Sequence, residues 1–181
     1  MRDLQKILAL IVAWGSIVSL SAQGVTNYGP MKLHGNGAMG FHANFTNNGE
    51  FTNNEGLIGF YSEGSSISIK GTSPIEVYDV EFATVSGIVL ENNVIINNNG
   101  NLIEGDIQTS RDSETPYTIR FNDDTFYTGE SAFSKVDGFA SFQNKEEFIF
   151  PVGDPERLRP LKINSMAINP TGVSAYFSED P

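Results

Sequence analysis

The chain has 181 residues, a formal charge of −11 at pH 7 and no cysteine. That length suits one ordinary domain, or one domain and part of another, and is enough for a core. Without cysteine there is no disulfide framework, zinc-thiolate site or cysteine nucleophile, and the acidity argues against a nucleic-acid partner, because neutralising phosphates takes clustered Lys and Arg.

The N-terminus carries an address. Arg2 and Lys6 precede an apolar run from Ile7 to Leu20, interrupted only by Gly15, Ser16 and Ser19, and the small residues Ser21 and Ala22 follow. A basic start, a run of this length and a small-residue exit predict a secretory signal peptide over residues 1–22. The run is short for a bilayer span, and no later stretch approaches one, so no membrane span is expected after cleavage. Residues 1–22 carry a net +1, which leaves −12 on the exported chain.

From Gly24 to Asn44 the chain is Gly-rich. Gly35, Gly37 and Gly40 satisfy GxGxxG, but that pattern cradles a pyrophosphate only between a buried strand and a helix. The sequence that follows, FHANFTNN, has no helical periodicity, so the glycines are expected at tight turns. His34 and His42 are the only histidines, with no carboxylate cluster beside them, and solvent-facing positions are expected for both. Asn44-Phe45-Thr46 is formally a glycosylation sequon.

Phe45 to Gly56 reads FTNNGE-FTNNEG, one six-residue unit written twice. A unit too small to bury its own apolar face must stack on neighbours, which points to a solenoid. From Phe45 to Ile107 short apolar clusters then recur at roughly five- to ten-residue intervals, many with strand-like alternation, as in Ile67-Ser68-Ile69. Asn/Gly/Ser groups divide them, among them Asn92-Asn93 and Asn97-Asn98-Asn99-Gly100. Asn (17) and Gly (18) are over-used; Asn tolerates the left-handed backbone of a corner, and stacked Asn amides can hydrogen-bond in ladders. An irregular β-helix with equivalent positions stacked about 4.8 Å apart accommodates this pattern. An antiparallel meander is the alternative.

After Ile107 the texture changes. A polar connector, Gln108 to Pro116, leads into Tyr117–Phe121 and Thr125–Thr128 around Asn122-Asp123-Asp124, which predicts a hairpin. Gly138–Phe142, Glu147–Phe150, Leu161–Ile163 and Val173–Phe177 are further strand candidates. The expected organisation is an all-β chain: a β-helix-like repeat region over 23–107, then an antiparallel, sandwich-like segment over 108–181 that caps the coil. A final strand with no evident partner suggests a natural chain that runs on beyond Pro181.

Phe150-Pro151-Val152-Gly153-Asp154, followed by Arg159-Pro160-Leu161 and preceded by Val136-Asp137-Gly138, resembles a recurring module of large secreted, adhesin-like surface proteins of gliding-type Gram-negative bacteria. The resemblance covers roughly residues 75 to 181. It implies a surface or secreted location, often export by the type IX route through a separate C-terminal sorting domain, and no catalytic residues. Physically, Phe148 and Phe150 share one face of a strand that Pro151 ends, and Gly153-Asp154-Pro155 turns the chain. A structural calcium site at Asp154 and Glu156 is the sharper alternative, although no motif indicates one and no cofactor is expected.

A polysaccharide-cleaving β-helix needs convergent carboxylates about 5–9.5 Å apart in a groove, and a lyase needs a calcium cage with a basic residue beside it. Asp123-Asp124 is the only adjacent Asp pair and falls in a turn; Asp106, Asp123 and Arg120 are the set whose convergence in a cleft would indicate an enzyme. The sequence otherwise predicts a non-catalytic secreted or cell-surface structural or adhesion module. Its expected partners are an extracellular surface or polysaccharide and further C-terminal domains of a longer protein. The alternative is a carbohydrate-binding or carbohydrate-cleaving β-helix.

Overall fold

The computed structural model describes residues 24–53, 55–111, 116–164 and 172–178; the expected signal peptide lies outside them. The described residues are all-β, stacked as a β-solenoid of about five turns with antiparallel strands added. Three short strands make each coil. The first coil holds β1 (Val25–Asn27), β2 (Met31–Leu33) and β3 (Ala38–Phe41), and the second β4 (Phe45–Asn47), β5 (Phe51–Asn53) and β6 (Leu57–Ser62). In the third, β7 (Ile67–Gly71) is followed by β8 (Ile75–Thr84), and in the fourth β9 (Ile88–Glu91) by β10 (Val94–Glu104). Both long strands bend around a corner and serve two faces. The fifth coil holds β11 (Ile107–Gln108), β12 (Ile119–Phe121) and β13 (Phe126–Thr128).

Parallel pairing joins equivalent strands of successive coils. Along the first face run β1, β4, β7, β9, β11 and then β14 (Val136–Asp137). The second continues through β10 and β12 to β15 (Ala140–Phe142), and the third joins β3, β6, β8, β10 and β13. Inward columns fill the core: Ile67, Ile88, Ile107 and Val136 on the first face; Ile75, Val94, Ile119 and Ala140 on the second; Phe41, Phe60, Phe82 and Leu102 on the third. All are buried, and Phe60 lies between Phe41 and Phe82 with ring centroids 5.3 and 5.9 Å away. Stacked rings keep the offset arrangement that their quadrupoles favour.

The FTNN doublet does not stack on itself. Its two halves are consecutive strands of a single coil: Phe45 pairs with Val25 and Ile69 on the first face, whereas Phe51 pairs with Met31 on the second. The rings meet edge-on inside the coil, 5.6 Å apart. The period of six is thus the step from one face to the next, while the stacking period is one coil, 20 residues from Val25 to Phe45.

Corner chemistry holds the coils in register. Asn27 Nδ2 donates to Asn47 Oδ1 at 2.8 Å, and Asn47 Nδ2 donates to the carbonyls of Ser73 and Pro74 at 3.0 Å. Asn92 Nδ2 reaches the same Ser73 carbonyl from the next coil. Gly71 occupies the register position of Asn47 with φ 126°, and a Cβ there would sit 2.0 Å from the Asn47 carbonyl oxygen, so only glycine fits.

Two expectations are corrected. Asn122-Asp123-Asp124 does not close a hairpin: β12 and β13 both pair parallel with β10. The turn is a coil corner, fixed by Asn122 Nδ2 on Asn97 Oδ1 (3.0 Å) and Thr125 Oγ1 on the Ile96 carbonyl (2.9 Å). Asn97 to Gly100 is not a connector, because it lies inside β10, where the ladder slips at the bend. The expected antiparallel segment is present, but parallel stacking first continues through β14 and β15; among the described residues its strands pair in two places. One is β16 (Glu147–Phe150) with β17 (Leu161–Asn164); the other is β18 (Val173–Ala175) on β15. Phe148 and Phe150 bring their rings to Phe121 and Phe142 at 5.2 and 5.5 Å, extending the core.

Candidate functional site

Outward positions recur every second residue along a strand and align between paired strands. On the third face one such row runs Gly40, Gly59, Glu81, Asn101 and Thr128, in register across five strands. Tyr61 lies two residues beyond Gly59 on β6 and therefore faces outward too. Its ring folds back across the glycines: a Cβ at Gly59 would meet the ring at 2.1 Å and one at Gly40 at 3.3 Å. Two missing side chains make the seat. The Tyr61 hydroxyl donates to Glu81 Oε2 at 2.7 Å, Asn101 Nδ2 donates to Glu81 Oε1 at 3.5 Å, and Thr128 Oγ1 donates to Asn101 Oδ1 at 3.2 Å. His42 flanks the ring, 5.5 Å between centroids. Burial, followed by the hydrogen bond to Glu81 and its charge, pushes the Tyr61 phenol up to about 12. The phenol is a donor at neutral pH, and its hydrogen bond to Glu81 holds the ring across the two glycines.

The residues singled out in the sequence do not form one centre. Arg120 lines a shallow groove of about 330 Å³ on the second face with Asn93, Thr118, Ser141 and Ser174. Asp106 lines a separate depression of about 430 Å³ beside Ser86, Glu104 and Phe133, and Asp123 is exposed in its corner turn. Asp106 is engaged by Lys135, whose fully buried Nζ lies 2.9 Å from both carboxylate oxygens and 2.8 Å from the Ala132 carbonyl. Burial raises the Asp106 carboxyl, and the Lys135 charge offsets part of that.

Asp154 is a capping residue. Oδ1 accepts from the Glu156 and Arg157 amides, each at 2.8 Å, and Oδ2 accepts from Arg159 Nε at 3.1 Å. Val152 bridges Val136 in the first-face direction, so FPVGD begins another coil and then closes it with this turn. Val136-Asp137-Gly138 is likewise built into the coil: Val136 is core, Asp137 pairs with Arg111, and Gly138 has φ 129° against Thr109. Both His34 and His42 are exposed, and Gly35, Gly37 and Gly40 precede or enter strand β3, with no helix there. Asn44 of the sequon is exposed, and its Oδ1 accepts from the Ser68 amide at 2.8 Å. Among the described residues no three His, Asp or Glu side chains group to hold a metal, and no helix is long and apolar enough to cross a membrane.

No family model, curated protein or solved structure matches this chain. Function must come from the faces themselves. Reading residues singly missed the Tyr61 row, because its members lie about a coil apart in sequence. The available signal was the spacing of Tyr61, Glu81 and Asn101, each 20 residues from the next and equal to the step between the first two coils.

Proposed function

We propose that this protein is a non-catalytic, secreted or cell-surface module of adhesin type, in which a rigid β-solenoid presents flat polar faces to an extracellular partner. The observation that carries this reading is the third face: a row of Tyr, Glu, Asn and Thr side chains from successive coils, cross-bonded into one surface. A continuous core beneath it holds that surface rigid. Preorganised faces of this kind bind with little ordering cost. Two further supports are the leader-like residues 1–22 and the resemblance of the FPVGD segment to surface proteins of gliding-type bacteria.

The carbohydrate-cleaving alternative has less behind it. Asp106 is bound to Lys135 and Asp154 to Arg159, in roles that hold coils and turns together. The test has two parts: protease shaving of intact cells with antibody detection of this chain, and reducing-end release from a polysaccharide panel. Surface cleavage without released reducing ends is the expected result. A chain protected inside the cell, or steady release of reducing ends, would overturn the proposal.

A further inference from the structure

We infer that the Tyr61 row is a binding lane for a neutral, pyranose-based polysaccharide. The inference rests on the surface-module reading only for the ligand's extracellular source; the site stands on its own geometry.

The ring is the starting point. Tyr61 is neither in the core nor free in solvent, but laid flat over two glycines and pinned by its hydroxyl to Glu81. Such a ring offers one apolar face outward at no conformational cost, with a polar tip already engaged. A pyranose has the complementary shape, with an apolar C–H face and hydroxyls at its rim. A ladder serving only to join coils would need hydrogen-bonding side chains alone, as at the Asn27–Asn47 corner. At Tyr61 the sequence instead leaves two outward positions without side chains and fills the space with an aromatic ring.

Beyond the ring the lane continues as hydrogen-bonding groups at sheet spacing. Glu81 supplies acceptors, Asn101 a donor and an acceptor, and exposed Thr128 a hydroxyl. Four strand steps from Gly40 to Thr128 span about 19 Å, room for roughly three or four linked rings. His42 borders the aromatic end.

Charge selects the class. Glu81 lies in the lane, Asp79 is outward on the same strand two residues before it, and the chain as a whole is strongly acidic. A uronate or sulfated glycan would meet like charge and lose affinity. A neutral chain has only hydroxyls to satisfy, and carboxylate and amide groups bind those well.

The test is titration calorimetry of the full chain with cellohexaose, laminarihexaose and mannohexaose as soluble probes and a hexagalacturonate as the acidic comparator. At least one neutral probe should bind. Tyr61→Ala should weaken it tenfold or more, while Tyr61→Phe, which keeps the stacking face, should weaken it no more than about threefold. Thr128→Arg, at the exposed end of the lane, should also weaken binding with an unchanged melting temperature, which separates blockage of the lane from loss of the fold. Lys32→Ala, on the second face, should bind as the wild type does. Equal affinity of the wild type and Tyr61→Ala, or preference for the hexagalacturonate, would overturn the lane. If no neutral probe binds while the chain is still found on the cell surface, the lane fails and the surface-module reading stands. If a probe binds through Tyr61 and is also cleaved, the lane stands and the non-catalytic reading fails.

Discussion

Asn47 accepts a 2.8 Å hydrogen bond on Oδ1 from Asn27 Nδ2 one coil away, and both side chains are buried. The Asn47 amide also donates to the Ser73 and Pro74 carbonyls, so one side chain joins three successive coils. Asn47→Ala leaves buried groups short of partners, which costs about 2–3 kcal/mol. Melting should fall by roughly 5–10 °C for a chain of this size. Asn48→Ala, which removes an exposed acceptor of the Thr72 amide, should cost far less. Equal shifts in thermal melts would count against the buried ladder.

Phe51 is 4% exposed, whereas its neighbour Glu50 faces solvent. Phe51→Asp should destabilise by several kcal/mol, on the order of 4, because it buries an unpaired charge and opens a cavity. Glu50→Ala keeps the backbone carbonyl that Asn27 uses and should be near neutral. Urea unfolding of the two variants decides it: similar midpoints would mean that Phe51 does not face the core.

Lys135 is buried with its charge answered by Asp106. Asp106→Ala should cost about 3–5 kcal/mol, since it strands a buried ammonium. Replacing both residues, Asp106→Ala with Lys135→Met, should recover much of the loss. A double variant no more stable than the single one would show that the pair does more than neutralise itself.

Asp154 gives the cap a pH dependence. Burial raises its carboxyl, but the Arg159 hydrogen bond and the Glu156 and Arg157 amides outweigh that and hold it below its ordinary value of 3.8. A carboxyl depressed in the folded state adds stability that is fully present above its unfolded value and is lost as pH falls through the folded one. The stability difference between wild type and Asp154→Asn should therefore be level from pH 7 to about 5 and shrink below about pH 4. Denaturant titrations at each pH measure it; a difference that grows on acidification would reverse the assignment.

Tyr61 should titrate far above an ordinary phenol, near 12. Glu81→Gln removes the carboxylate that restrains ionisation and should bring the value part of the way back toward 10, with burial holding the remainder. Phenolate absorbance against a Tyr61→Phe reference measures the change. No movement on Glu81→Gln would break the link between the two side chains.

The sequence by itself determined the fold class, most strand positions from Phe45 onward and the chemistry of the corners, but not β1, β2 and β3 in the Gly-rich entry, nor the continuation of β10 through Asn97 to Gly100. Alternating Ile, Val, Leu and Phe must bury one side, and Asn and Gly are the residues that bends tolerate. It also located the closing turn at FPVGD, because Phe148, Phe150, Pro151 and Gly153 have local consequences. It did not determine register. Whether Phe45 stacks on Phe51 or stands beside it depends on coil length, which is a sum over corners rather than a property of either FTNN unit. Nor could it decide whether Asn122-Asp123-Asp124 reverses the chain or only bends it, because that depends on β10 being there to pair with both flanking strands. The Tyr61 row exists only through that register: Gly40, Gly59, Glu81, Asn101 and Thr128 become neighbours when five coils stack, and the 20-residue spacing of Tyr61, Glu81 and Asn101 gains meaning only once the coil length is known.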